Sequence, residues 1–344
     1  MKSLMVYVGV LLLLFSSCTD PTEEKAEVLS AFITEQGVSG SFILLKGEEV
    51  LVASSQGWAD REAGLSFSSE TPSNLGPLSE GITGAVIALL AEEGKLTLSD
   101  PLQQHIPSFP YSAITITHLL EHRSGIPDFK PYAMQYWDTT KTYSPAMLLD
   151  LFETMQPPLD FAPGSQQVIN PVNYIMLAGL LDIYSSTFIN EYLPYKLFQP
   201  LHMGDSHVYH QLIWDRPPKA ARGYGDRQQT RIWEASWTDG LYGHANFYSS
   251  TRDLQRFILA IEANRGLLEG HLERLQASVE GEDMRYGFWA NGKSYWRFGK
   301  HHGYAAGIYR NPDQDLTCIW LCNNNGIEPN ELGGQVLQIM GESL

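Results

Sequence analysis

From Pro77 to Gly94 the chain reads PLSEGITGAVIALLAEEG, with apolar residues at Leu78, Ile82, Ala85, Val86, Leu89 and Leu90. That three- and four-residue spacing predicts a helix with one face in a core. Pro77 suits the first helical position, where its missing N–H costs nothing, and Gly94 followed by Lys95 is a stop signal. Upstream, Ser41–Leu45 and Val50–Ser54 read as strands joined at Lys46-Gly47-Glu48-Glu49, a hairpin signal. Downstream, Ile114–Asp128 reads as one short helix closed by Gly125 and Pro127. Tyr143–Met155, Tyr174–Tyr184 and Phe247–Ala263 are also helical by pattern. Ser250, three before Asp253, gives the last of these a capping-box-like start. The pattern turns to strands at Tyr295–Phe298, Ala305–Arg310 and Leu316–Asn323, and a helix over about Glu328–Met340 closes the chain. Strands, a helix-rich middle, strands and a terminal helix predict an α+β domain with an inserted helical half.

Composition narrows the function classes. Over 344 residues the chain is 43% hydrophobic and 18% charged, which is globular rather than disordered. A net charge of −16 argues against nucleic acid, because phosphate binding needs a basic surface. Lys2 precedes an apolar run, Leu4–Phe15, that is too short to span a bilayer comfortably. Phe15-Ser16-Ser17-Cys18 resembles a bacterial lipobox, which implies cleavage before Cys18 and acylation of its thiol. Residues 1–18 are therefore read as a lipoprotein signal peptide, 19–30 as a polar tether and 31–344 as the folded domain. That implies a bacterial cell envelope location through a lipid anchor. Of three cysteines, Cys318 and Cys322 lie four apart on a strand, about 13 Å. This is too far for a disulfide, and they are expected as buried apolar fillers.

Several segments carry a more specific resemblance. These are Gly57-Trp58-Ala59-Asp60, Glu92-Glu93-Gly94-Lys95-Leu96, Leu96–Phe109 with its Asp100-Pro101, and Phe198–Ser206. The most distinctive is His118-Leu119-Leu120-Glu121-His122-Arg123-Ser124-Gly125-Ile126-Pro127-Asp128. The chain from about Gly40 onward resembles the serine β-lactamase and penicillin-recognising hydrolase family, in its class C β-lactamase-related branch. The resemblance implies an antiparallel sheet flanked by terminal helices, with a helix-rich region lining a cleft.

It also implies where the chemistry should sit. The family's Ser-x-x-Lys opens the helix, with Ser acylated and Lys accepting its proton. Counting back from Glu92-Glu93-Gly94 places Ser on Pro77 and Lys on Glu80. Acylation needs a hydroxyl and a base one turn apart. Pro77 removes both the hydroxyl and a backbone donor that would hold an oxyanion. Glu80 also has a plain structural reading, as an acidic residue in a first helical turn. Ser79 does not restore the motif, since Ile82 follows it by three. The Tyr of Tyr-x-Asn falls on Ile169 and its Asn on Pro171; shifting by one gives Val168 and Asn170, still without a phenol. His301-His302-Gly303 retains His-x-Gly, with Gly307 four further on. Two readings of Gly303 stay open: ligand pairing along the strand edge, or close packing of the strand on the helix.

Two patterns are decoys. Gly287–Ser294 fits GxxxxGK[ST], but a strand-like stretch follows where a P-loop needs a helix. His118–His122 fits H-x-x-E-H, with both histidines on one helical face, but the family hallmark already accounts for it. The sequence thus predicts a non-acylating envelope protein with Glu80, His301, His302 and Gly303 as ligand-binding residues. The expected ligand is a small molecule or a peptide or peptidoglycan-like species, with no cofactor, no metal and no nucleic acid. The alternative is a hydrolase using Glu80 and His301 as an acid–base pair on water. A third reading is a structural envelope protein whose cleft is filled by side chains.

Overall fold

The computed structural model describes residues 21–341 except 186–188, 210–216, 218, 234–235, 277–280, 325 and 327. The proposed signal peptide and Cys18 lie outside the described residues.

A seven-stranded antiparallel sheet forms the frame. Its order is Glu49–Gln56, Gly40–Lys46, Leu316–Cys322, Tyr304–Asn311, Ser294–His301, Phe288–Asn291 and Asp283–Arg285. Leu316–Cys322 is buried along its whole length because both faces are covered. Successive strand residues point to opposite faces. Cys318, Trp320 and Cys322 meet Ala26, Leu29 and Ile33 of the first helix and Leu332, Val336 and Leu337 of the last. Ile319 and Leu321 face the helical region instead. Both cysteines are free, and burial pushes the Cys318 thiol up to about 12.

The helix at the centre begins as a 3₁₀ turn, Gly76–Leu78, and runs on as Ser79–Glu92. The pattern predicts one buried face, yet every residue from Ser79 to Leu90 is buried. Gly81, Gly84, Ala85 and Ala88 are small enough to let neighbours approach from the other sides, so apolar spacing alone understates the burial. The Ser79 hydroxyl accepts the Phe247 N–H, away from any cleft.

Other expectations need correction. Residues 21–30 are not a tether: Pro21–Glu35 is a helix. The acidic run hides the 26, 29, 33 spacing that seats it on the sheet. Between Ile114 and Asp128 the helix is only Ile116–Leu120, capped by Thr115. His118 and His122 do not share a face. His118 Nδ1 accepts the Thr115 N–H in the cap, while His122 lies beyond the helix with φ +52°. Ser250 caps Thr251–Ala263 by accepting the Asp253 N–H, but Asp253 instead accepts from Asp205 N–H and the Ser206 hydroxyl. Gly292-Lys293 is a hairpin turn between two strands, which disposes of the P-loop.

Candidate functional site

The start of the central helix rests on the strand Ser294–His301. A Cβ built on Gly299 would lie 2.6 Å from the Pro77 ring, so helix and strand close to this distance only because residue 299 is glycine. The proline ring fills the space at the position where the family resemblance puts a nucleophile.

One turn on, Glu80 is fully buried and its carboxylate is fully engaged. Arg297 Nη2 donates to Oε2 at 2.5 Å, and Arg297 Nε reaches the Pro77 carbonyl at 3.4 Å. His244 Nδ1 lies 2.6 Å from Oε1, and His122 Nε2 lies 3.4 Å from Oε2. The tautomers follow from their partners. The Asn170 N–H can only donate, so His122 Nδ1 accepts it and Nε2 carries the proton toward Glu80. A carboxylate can only accept, so His244 Nδ1 carries a proton and its Nε2 is left on the cavity side. Burial alone would raise the Glu80 pKa. The Arg297 charge, His122 and the hydrogen bonds from both histidines outweigh it and hold the group well below the usual carboxylate range.

This corrects the expected pairing of Glu80 with His301. Arg297 neutralises Glu80, and the Glu80 carboxylate hydrogen-bonds to Arg297, His244 and His122 rather than to His301. Sequence reasoning missed Arg297, His122 and His244. They come from a strand, a post-helical loop and an irregular segment, with no shared motif.

Above this cluster lies a cavity of about 120 Å³. Phe129, Pro171, Ile175 and Leu241 make its apolar wall, and Lys130, His244, His301 and His302 supply polar groups. A purely side-chain-filled cleft is therefore not what forms. Burial pushes the His301 imidazole well below its ordinary pKa, and the charges of His302, His244 and Lys130 push it further. Ile169 is 38% exposed; Asn170 instead holds its loop, donating to the Ile126 carbonyl and accepting the Val172 N–H. Gly303, at φ +83°, allows close approach to Tyr224 rather than to the helix: a Cβ there would lie 2.7 Å from its nitrogen. The packing reading of Gly303 thus holds in kind but with a loop as partner.

The Beta-lactamase family profile matches residues 26–337. The chain belongs to the beta-lactamase family. Among its relatives, penicillin-binding protein 4* of Bacillus subtilis is 26% identical over 83% of this chain and 68% of its own length. The Staphylococcus aureus teichoic acid D-alanine hydrolase is 22% identical over 78% of this chain and 66% of its own. The fold is β-lactamase-like. The octameric penicillin-binding protein homologue from Pyrococcus abyssi superposes with a TM-score of 0.76 at 22% identity, over 94% of this chain and 78% of that one. The D-amino acid amidase of Ochrobactrum anthropi gives 0.75 at 19% identity, over 94% and 99%.

Proposed function

We propose that this beta-lactamase family chain does not acylate, and that it serves as an envelope-anchored binding protein for a small carboxylate ligand. The observation that carries the reading is the pairing of Pro77 on Gly299 with Glu80 on Arg297. Position 77 carries no hydroxyl and no backbone donor, the Ser79 hydroxyl is turned to the Phe247 N–H, and the group one turn on is a carboxylate held by a guanidinium. Losing one oxyanion donor alone costs about 3–4 kcal/mol of transition-state stabilisation in studied enzymes.

The cavity chemistry supports the ligand class. Its wall is apolar on one side, and the Lys130 ammonium stands beside the His244 and His301 imidazoles on the other. That suits an acid with a short apolar body. Relatives named for penicillin binding, D-alanine hydrolysis and D-amino acid amides point the same way. Titration calorimetry with N-acetyl-D-alanine and with its uncharged amide tests this. The acid is expected to bind at least about 10-fold more tightly than the amide, a difference of about 1.4 kcal/mol, and Lys130→Met should weaken the acid alone. Equal binding of the two, or none of either, overturns the reading.

One observation favours a second reading. The Glu80–His244 contact is the arrangement by which a carboxylate orients an imidazole base, here with His244 rather than His301. A water activated by His244 Nε2 would attack an ester in the cavity. Turnover of p-nitrophenyl acetate that disappears in His244→Ala would establish it; turnover unchanged by that substitution removes it.

A further inference from the structure

His301 and His302 are neighbours in sequence, and on a regular strand their side chains would point to opposite faces. They do not. His302 takes φ +45°, a conformation unfavourable for a residue with a side chain. The kink brings the two imidazoles face to face, with centroids 3.8 Å apart and planes inclined by 28°. On its other side His302 stacks on Trp233 at 5.5 Å and 11°. Backbone strain at this point is thus tied to one result, two ring nitrogens on the same side of the chain.

A carboxylate completes the group. Asp239 Oδ1 lies 2.9 Å from His302 Nδ1, yet the contact lacks hydrogen-bond alignment. Asp239 is itself only 8% exposed, and its Oδ2 accepts the Ser236 N–H at 2.8 Å, which fixes the orientation of Oδ1. His301 Nε2 is buried and has no hydrogen-bond partner among the described residues. Buried polar atoms without a well-formed hydrogen bond are uncommon, and the His301 nitrogen beside the misaligned Asp239 oxygen asks for an occupant. One donor atom from each of Asp239, His301 and His302 lies within 4.8 Å of the others.

We propose that Asp239, His301 and His302 form a divalent transition-metal site of the zinc type. Two imidazole nitrogens and one carboxylate oxygen are the donors such an ion prefers over calcium or magnesium. The three residues stand between two cavities, the 120 Å³ one lined by His301 and His302 and a larger one, about 230 Å³, lined by Asp239 and His302. An ion held here keeps coordination positions open to ligands in either space. Binding opens the stacked pair so that each ring plane points at the ion. The inference stands apart from the carboxylate reading and needs no organic ligand.

The test is zinc chloride titration of the purified full-length chain, stripped of metal, against a chromophoric chelator. One zinc per chain is expected, and cobalt(II) at the same site should give ligand-field absorption of a four- or five-coordinate ion. His301→Ala and Asp239→Asn should each weaken binding by about 30-fold or more. His118→Ala, on the H-x-x-E-H segment, should not. Thermal melts without metal show which variants fold; if His301→Ala does not, Asp239→Asn and His302→Gln decide. Binding weaker than about 1 mM, or stoichiometric binding that survives the Asp239 and His301 or His302 changes, overturns the proposal.

Discussion

Glu80 and Arg297 meet at 2.5 Å, 217 residues apart in sequence, with the carboxylate wholly buried. The helix carries the anion and the strand supplies the cation. The ammonium that the family motif would place on the helix is absent, and the strand guanidinium also ties down the carbonyl of Pro77.

Removing either member leaves the other charged and without its partner. Arg297→Met and Glu80→Gln are each expected to lower unfolding free energy by about 3–5 kcal/mol. The double variant should cost clearly less than their sum, because it leaves no lone buried charge. Urea unfolding of the four proteins measures the coupling. Additive losses would mean that the pair contributes nothing as a pair.

The Pro77–Gly299 contact gives a second coupled pair. Gly299→Ala adds a methyl where only 2.6 Å is available. It should destabilise the protein by about 1–3 kcal/mol, as overpacking does. In a Pro77→Ala background the penalty should shrink, since the ring that blocks the methyl is gone. Equal penalties in the two backgrounds would contradict the contact.

His271 is buried, neither ring nitrogen has a partner among the described residues, and burial pushes its pKa down to about 3. The unfolded chain protonates it near 6.5, so its contribution is complete above that pH and erodes as pH falls from 6.5 toward 3. At pH 5 the loss is about 2 kcal/mol. His271→Leu should remove this dependence. The stability difference between the parent and the variant, measured by urea at pH 7.5 and 5, should move by that amount. A pH-independent difference would contradict a neutral buried imidazole.

Asp182 works with the opposite sign. Burial raises its pKa to about 6, although the Tyr242 hydroxyl donates to it at 2.5 Å. The folded chain holds this proton more tightly than the unfolded one, so stability is lost as pH rises through 6. Asp182→Asn keeps an acceptor for Tyr242 and removes the charge. It should stabilise the protein by about 1–3 kcal/mol at pH 8, with the gain fading toward pH 5. A loss at pH 8 would show that the carboxylate itself is needed.

The fold was largely legible because its strongest signals are periodic. The helix after Pro77, the strands from Ser294 to Cys322 and the closing helix follow apolar spacing that packing then uses. The first helix was missed because acidic residues precede its three buried anchors. The site was legible only at its motif positions. Pro77, Glu80 and His301 could be placed by counting along segments of known spacing. His122, His244 and Arg297 reach Glu80 from 42, 164 and 217 residues away; His122 lies in the distinctive His118–Asp128 segment, but no local pattern marks any of the three as a partner of Glu80. The His301–His302 stack was also hidden, since it depends on a left-handed turn that two adjacent histidines do not announce.

The most direct test of the central claim is the intact mass of the purified chain after incubation with a penicillin and, separately, with a fluorophosphonate ester. With Pro77 seated on Gly299 and Glu80 held by Arg297, neither reagent should add mass. A stoichiometric adduct on the unmutated protein would reveal a working nucleophile and contradict the account.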